Sequence, residues 1–274
     1  MATTTAVAPR VQVTNPGAVI PSFSLWKREI VRFYRQKARV VGVILSPLLF
    51  WIVIGSGFGS SFRGGAGNGQ HYLDFFFPGA LTMIVLFTSI FTMMSVIEDR
   101  NEGFLLSVLV APVSRSVIVM GKVLGGTTLA AIQGLIFLVF APLIGIHFTV
   151  TSFLLIAATV FLVAFSLTAL GFAIAWPMDS TQAFHAIINL FLIPLWLLSG
   201  SLFPVASASS WLKWMMLVNP LTYGTEALRA LMFPQSTSVD FPVGMDLAIL
   251  GGFAVVMFAI AFALANRRTT KPAA

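Results

Sequence analysis

The chain has 274 residues, of which 58% are hydrophobic and only 9% charged, with a formal net charge of +7 and no cysteine. A soluble domain normally carries about a quarter charged residues, so this composition cannot clothe a water-facing surface and points to lipid as its solvent. The missing cysteines exclude a disulfide frame and any cysteine metal or redox site, and in a membrane chain excess Lys and Arg mark cytoplasmic loops rather than nucleic-acid binding.

Residues 1–22 carry one charge, Arg10, and no basic segment followed by an apolar one. The stretch reads as a mostly disordered cytoplasmic tail, not a secretory signal. Residues 23–39 follow a helical period. Arg28, Arg32, Arg35 and Arg39 fall on one face, and Phe23, Trp26, Ile30 and Phe33 on another. The pattern predicts an amphipathic helix on the cytoplasmic membrane surface, apolar face down and basic face up. A pure topology anchor and a docking surface for a partner both fit it.

A bilayer core about 30 Å thick needs roughly 20 apolar residues of helix. Uncharged runs predict six spans, at about 40–62, 75–97, 117–144, 151–176, 182–203 and 246–266, with a turn at Pro142, Gly145 and His147 dividing the third from the fourth. The expected fold is all-α and integral to the membrane. An even number of spans puts both termini on one side. Of the 16 Lys and Arg, only Arg63, Lys213 and Arg229 fall on the other. The positive-inside rule then predicts both ends, including 267–274, in the cytoplasm.

The predicted spans carry no charge in their middles, which argues against a pump built on buried carboxylates and suits an apolar or amphipathic cargo. Asp179 and Asp246, at span ends, remain open to such a role. His71, His147 and His185 are scattered, and no His-Glu-x-x-His or Gly-x-Ser-x-Gly run occurs. Gly121-Lys122 is followed by Val123 and lacks the glycine five residues earlier that a phosphate-binding loop requires. An ATP-driven cycle would need a separate ATPase. The pairs Gly55/Gly59 and Gly121/Gly125 permit close helix contact in lipid, and Pro47, Pro142 and Pro194 predict kinks.

On the outer side, 208–233 contains Trp211 and Trp214 in a stretch too short to span, then a break at Asn219-Pro220, then a second short segment with Tyr223, Glu226 and Arg229. Glu226 and Arg229, three apart on a helix, can pair. A helical hairpin dipping into the outer leaflet and an ordinary interfacial Trp belt both account for it.

The loop 98–116 opens with Glu98, Asp99, Arg100 and Glu102, passes Gly103, continues through Phe104, Leu105 and Leu106 to Val110, and closes on Ala111-Pro112-Val113-Ser114-Arg115. Phe104 to Val110 is too short to cross the membrane and too apolar to float free. It predicts a short helix presented to a partner at the cytoplasmic surface or packed on the chain's own spans.

This loop resembles the cytoplasmic loop of ABC-2 type (type 2 ATP-binding-cassette) exporter permeases. So do Leu198-Ser199-Gly200-Ser201-Leu202-Phe203-Pro204, Trp211-Leu212, Asn219-Pro220-Leu221-Thr222-Tyr223 and Ala227-Leu228-Arg229. The likeness covers nearly everything beyond Ser22 and is nearest to bacterial drug-resistance and nodulation-factor permeases. It implies a subunit of the bacterial plasma (inner) membrane that pairs with a second permease, as homodimer or heterodimer, and docks on separate ATP-binding-cassette subunits holding ATP and Mg. This chain itself would have no catalytic residue, metal or cofactor. Glu98 to Arg115 would be the coupling element, its charges pairing and Phe104, Leu105 and Leu106 filling an apolar groove of the ATPase. Residues 23–39, with Trp26, Arg28, Arg32 and Arg35, would be the connecting helix. Spans one, two and five would line the path of an exported drug, lipid or lipid-linked glycan, and the hairpin with Trp211, Trp214, Asn219, Pro220, Tyr223, Glu226 and Arg229 would gate its exit. A stand-alone channel or passive carrier and a membrane-embedded lipid enzyme are the competing classes, the last lacking any polar catalytic cluster.

Overall fold

The computed structural model describes residues 18–58, 72–110, 114–234 and 241–267. Pro112, Gly59, Arg63 and His71 lie outside them, as do the two terminal segments 1–17 and 268–274. Among the described residues the regular structure is entirely helical.

Helix α1, Val19–Arg35, ends at Gln36, and α2, Lys37–Gly57, follows directly. Lys37 therefore opens α2, whereas the sequence pattern carried the surface helix on to residue 39. The next two helices, α3 (Tyr72–Thr92) and α4 (Met94–Asn101), form one continuous apolar rod of 30 residues, Tyr72–Asn101. At 1.5 Å per residue it is about 45 Å long, some 15 Å more than a bilayer core, so one end must project. Its charges sit on that end. Gly103, with φ 77, turns the chain into the short α5, Phe104–Val110. The left-handed backbone there suits a residue without Cβ.

Helix α6 runs Arg115–Phe137 and tightens into a 3-10 turn, Leu138–Ile144, containing Pro142; Gly145, with φ 74, reverses the chain. Thr149 and Ser152 then form a reciprocal capping box that starts α7, Val150–Ala175. Helix α8, Thr181–Leu197, has only 17 residues. A 3-10 turn at Val205–Ser207 leads to α9, Ser210–Val218, and α10, Pro220–Met232; α11, Val243–Asn266, closes the bundle.

Four described helices are long and apolar enough to cross a membrane: Tyr72–Asn101, Arg115–Ile144, Val150–Ala175 and Val243–Asn266. The other two expected spans appear as shorter apolar helices, Leu45–Gly57 within α2 and Thr181–Leu197. Helix α8 is short because Ser180 caps its start, accepting from Ala183 N, and Gly200, φ 75, turns the chain just past its end. Its length of about 26 Å falls just short of a bilayer core.

Helix α3 is the axis of the bundle, buried along nearly its whole length and packed by α2, α6 and α7. Phe76, Phe77, Leu81, Ile84, Leu86 and Ile90 are completely or almost completely enclosed. Helices α7 and α11 pack along each other, and α10 fills the angle between them and α3. Helices α2, α8 and α11 keep broad apolar faces exposed, including Val53, Leu190, Phe191 and Val255. Such faces are compatible only with lipid or another subunit.

Candidate functional site

The projecting end of the α3–α4 rod is held by a buried charge cluster. Helix α1 lies across α6, where Gly121 and Gly125 leave room for it. A Cβ on Gly121 would come within 2.6 Å of Leu25 Cβ, and one on Gly125 within 2.8 Å of Glu29 Cβ. Leu25, Glu29 and Phe33, each four residues apart, are the side chains α1 buries. Glu29 thus enters an apolar contact as a carboxylate, which is costly unless it is paired.

Lys122 supplies the pairing. Its Nζ donates to Glu29 Oε1 at 2.6 Å, to Ser95 Oγ at 3.1 Å and to Asp99 Oδ2. Ser95 Oγ in turn donates to Glu29 Oε2 at 2.8 Å. Asp99, with no exposed surface, also receives Arg28 on both carboxylate oxygens at 2.8 Å and Arg32 at 2.7 Å. Arg32 extends to Glu98 at 2.8 Å and Glu102 at 3.4 Å. Burial works against charge on Arg28, but the hydrogen bond and charge of Asp99, helped by Glu29 and Glu102, outweigh it and raise its pKa above the usual guanidinium value. The same guanidinium sits 3.7 Å over the ring of Phe104, tying α1 to α5.

This arrangement revises the surface-helix reading. Arg28 and Arg32 do not face water as a basic stripe; they turn toward α4 because Asp99 and Glu98 wait there. Arg35 is exposed, and Trp26 donates from Nε1 to Thr128 Oγ1 at 3.0 Å on α6.

The remaining members of the loop divide by direction. Arg100 leaves the cluster to cap the far end of α7, donating to the carbonyls of Trp176 and, at 2.7 Å, Met178, and pairing with Asp179 at 3.2 Å. Arg115 donates to the carbonyls of Ala265 and Arg267 at the end of α11. Helix α1, the α4–α5 turn, the α7–α8 turn and the end of α11 therefore lie at one end of the bundle. Leu105 is buried and Phe104 half-buried, while Leu106 is 63% and Val110 85% exposed. Val110 and Ser107 complete the outward face of α5, which sequence reasoning had centred on Phe104 to Leu106.

Beside the rod, α2, α3 and α8 enclose a groove of about 390 Å³ lined by Gly42, Ser46, Pro47, Phe50, Met83, Phe87, Phe91, Ile193 and Trp196. Its wall is aromatic and carries no charge. Trp196 is fixed by donating from Nε1 to Gly79 O at 2.9 Å.

At the opposite end, Asn219 caps α10, accepting from Leu221 N at 3.0 Å and donating to Leu195 O at 2.6 Å, with Pro220 at the first helical position. Tyr223 hydroxyl donates to Leu217 O at 2.7 Å. Arg229 is almost wholly buried, paired with Glu226, donating to Gly200 O at 2.7 Å and lying 4.3 Å over Phe75. The two halves of 208–233 are unequal: α10 is buried in the bundle, whereas Trp211 and Trp214 of α9 are 67% and 72% exposed.

Residues 22–233 match the family model described as ABC-2 type transporter. The chain belongs to the ABC-2 type transporter family. Among its relatives, the "Putative transport permease ycf38" of Cyanophora paradoxa is 30% identical over 211 residues, 76% of this chain and 73% of the relative. The "Daunorubicin resistance ABC transporter permease protein DrrB1" of Streptomyces coeruleorubidus is 24% identical over 241 residues, 85% and 81% of the two chains. The "Inner membrane transport permease YadH" of Escherichia coli (strain K12) is 25% identical over 246 residues, 89% and 94%.

The chain is thus a transport permease component of an ABC transporter, a membrane part rather than a catalytic subunit. In this permease Glu98, Asp99, Glu102 and Phe104 of the stretch 98–116 converge with Arg28 and Arg32, whereas Arg100 and Arg115 reach other helices. Glu29, Ser95 and Lys122 were missed as site residues. A helical-face count could have found Glu29, aligned with Leu25 and Phe33, and Ser95, four residues before Asp99; nothing in the sequence joins either to Lys122.

Proposed function

We propose that this permease is the membrane subunit of an exporter that moves an amphipathic drug, lipid or lipid-linked glycan outward, driven by ATP hydrolysed on a separate ATP-binding-cassette subunit. It works as a pair of permeases, homomeric or heteromeric, in a bacterial inner membrane with both termini cytoplasmic. The observation that carries the reading is α5. Its outward residues Leu106 and Val110 are bare and apolar, while Arg28 over Phe104 ties its base to α1 and the α4 segment before it is bound to α1 and α6 by buried charges. A short apolar knob on a rigid mount is what force transfer from an ATPase requires, since a push on it moves three helices together.

The uncharged groove between α2, α3 and α8 supports an apolar passage. Helices α9 and α10 gate the outer end. Clustering of α1, Arg100 and Arg115 at the opposite end supports the cytoplasmic placement of both termini.

The test is affinity purification of the tagged permease from its native membrane. The wild type should bring with it an ATP-binding-cassette ATPase, and the double variant Leu106→Asp/Val110→Asp should lose that ATPase while retaining its thermal midpoint. Retention of the ATPase by the double variant, or substrate movement in liposomes by the permease alone, would overturn the proposal.

A further inference from the structure

Helix α1 turns outward a face different from the one its spacing suggested. The side chains it buries, Leu25, Glu29 and Phe33, lie against α6, and Arg28 and Arg32 turn to α4. Ile20, Phe23, Lys27, Val31, Tyr34 and Arg35 are exposed. Lys27 stands four residues from Phe23 and four from Val31, so one stripe of the helix mixes apolar and cationic groups. A basic stripe facing water with an apolar stripe beneath is thus reversed: the paired charges are inside, and the outer face is apolar with cations set into it.

No acidic side chain answers those cations. Lys27, Arg35 and Lys37 enter no ion pair among the described residues. At this end of the bundle the carboxylates are Glu29, Glu98, Asp99, Glu102 and Asp179, and each is bound to Arg28, Arg32, Arg100 or Lys122. Asp74, Glu226 and Asp246 belong to helix segments at the opposite end. The segments outside the described residues contain one acidic residue, Asp240, which falls in sequence between α10 and α11. The chain has no spare acidic side chain for this face, so a negative partner has to come from outside it.

Depth decides what that partner is. The rod Tyr72–Asn101 overruns a bilayer core by about 15 Å. Helix α1 is bonded to Ser95, Glu98 and Asp99 on its charged end. Helix α2 follows without a linker, and its exposed apolar stripe, Val41, Leu45, Leu49 and Val53, starts four residues after Lys37, about 6 Å along the axis. Helix α1 therefore lies where acyl chains give way to headgroups. Phosphates are the fixed negative charges at that level, and a helix that mixes aromatic, branched and lysine side chains fits the boundary, its lysine stem lying on the apolar surface and its ammonium reaching out.

We propose that the outward face of α1 binds anionic phospholipid headgroups, with Lys27, Arg35 and Lys37 meeting the phosphates and Phe23, Val31 and Tyr34 entering the headgroup–acyl boundary. The proposal needs only a bilayer around the bundle and stands or falls apart from ATPase docking.

Native mass spectrometry of the purified permease, titrated in detergent with phosphatidylglycerol and separately with phosphatidylcholine, tests it. The wild type should hold phosphatidylglycerol the more tightly. A cation near an anionic surface strengthens attraction about fivefold, so Lys27→Gln/Arg35→Gln/Lys37→Gln should lower the apparent affinity for phosphatidylglycerol on the order of a hundredfold and leave that for phosphatidylcholine unchanged. Lys213→Gln, at the opposite end, should match the wild type. None of the three replaced side chains is buried, so the thermal midpoint of the triple variant in phosphatidylcholine nanodiscs should stay that of the wild type. Phosphatidylglycerol added to those nanodiscs should slow chymotrypsin cleavage at Phe23 and Tyr34 in the wild type and not in the triple variant. A triple variant within about threefold of the wild type for phosphatidylglycerol, an equal fall for phosphatidylcholine, an equal fall in Lys213→Gln, or protection of α1 by an ATPase subunit but not by phosphatidylglycerol would overturn the proposal.

Discussion

Lys122→Met removes the cation that hydrogen-bonds both Glu29 and Asp99 and replaces it with an unbranched side chain of similar reach. Lys122 is 1% and Glu29 4% exposed, so water cannot take over the lost contacts. Asp99 keeps Arg28 and Arg32. Glu29 keeps Ser95 and a longer approach from Arg28 at 3.6 Å, and becomes a buried charge with weak compensation. Breaking a buried pair from one side costs about 3–5 kcal/mol. At about 2–4 °C per kcal/mol this lowers the unfolding midpoint by roughly 6–20 °C. Tryptophan fluorescence during heating in lipid nanodiscs measures it. The decisive comparison is Lys122→Met/Glu29→Gln, which removes the orphaned charge together with its partner and should recover more than half of the loss. A single variant costing under about 1 kcal/mol, or a double variant worse than both singles combined, would show that the cluster does not act as a coupled unit.

Gly125→Val places a branched side chain where Cβ alone meets Glu29 Cβ at 2.8 Å. Displacing α1 should cost about 1–3 kcal/mol and expose it to limited proteolysis, which Gly42→Val, in open space, should not do. Asn219→Ala removes the cap of α10 and the bond to Leu195 O, so the thermal midpoint should fall by the equivalent of about 1–2 kcal/mol; Asn219→Asp, which keeps the acceptor for Leu221 N, should lose less.

The apolar runs announced a membrane fold because lipid satisfies nothing on the backbone, forcing helices. Asn219-Pro220 was legible as a break and a helix restart, for it acts through neighbouring residues, whereas the turn at Gly103 came only with the structure. Asp99 was not legible. It stands between Glu98 and Arg100 in a run of charges that reads equally well as a surface facing a partner. Only the arrival of α1 from about seventy residues earlier, and of Lys122 from α6, turns it inward. Gly121 and Gly125 were visible as a pair of small residues. Their use, a seat for Leu25 and Glu29, depended on which helix came to lie there.

Composition and the placement of Lys and Arg, quantities local to the chain, were enough to establish that this protein lives in lipid, is helical, and gathers its charge toward one side. Which charges are buried, and that Glu29, Asp99 and Lys122 form one cluster, are matters of distance between residues remote in the chain. Pairing energies depend on separation and on exclusion of water, and both arise only once the helices have packed.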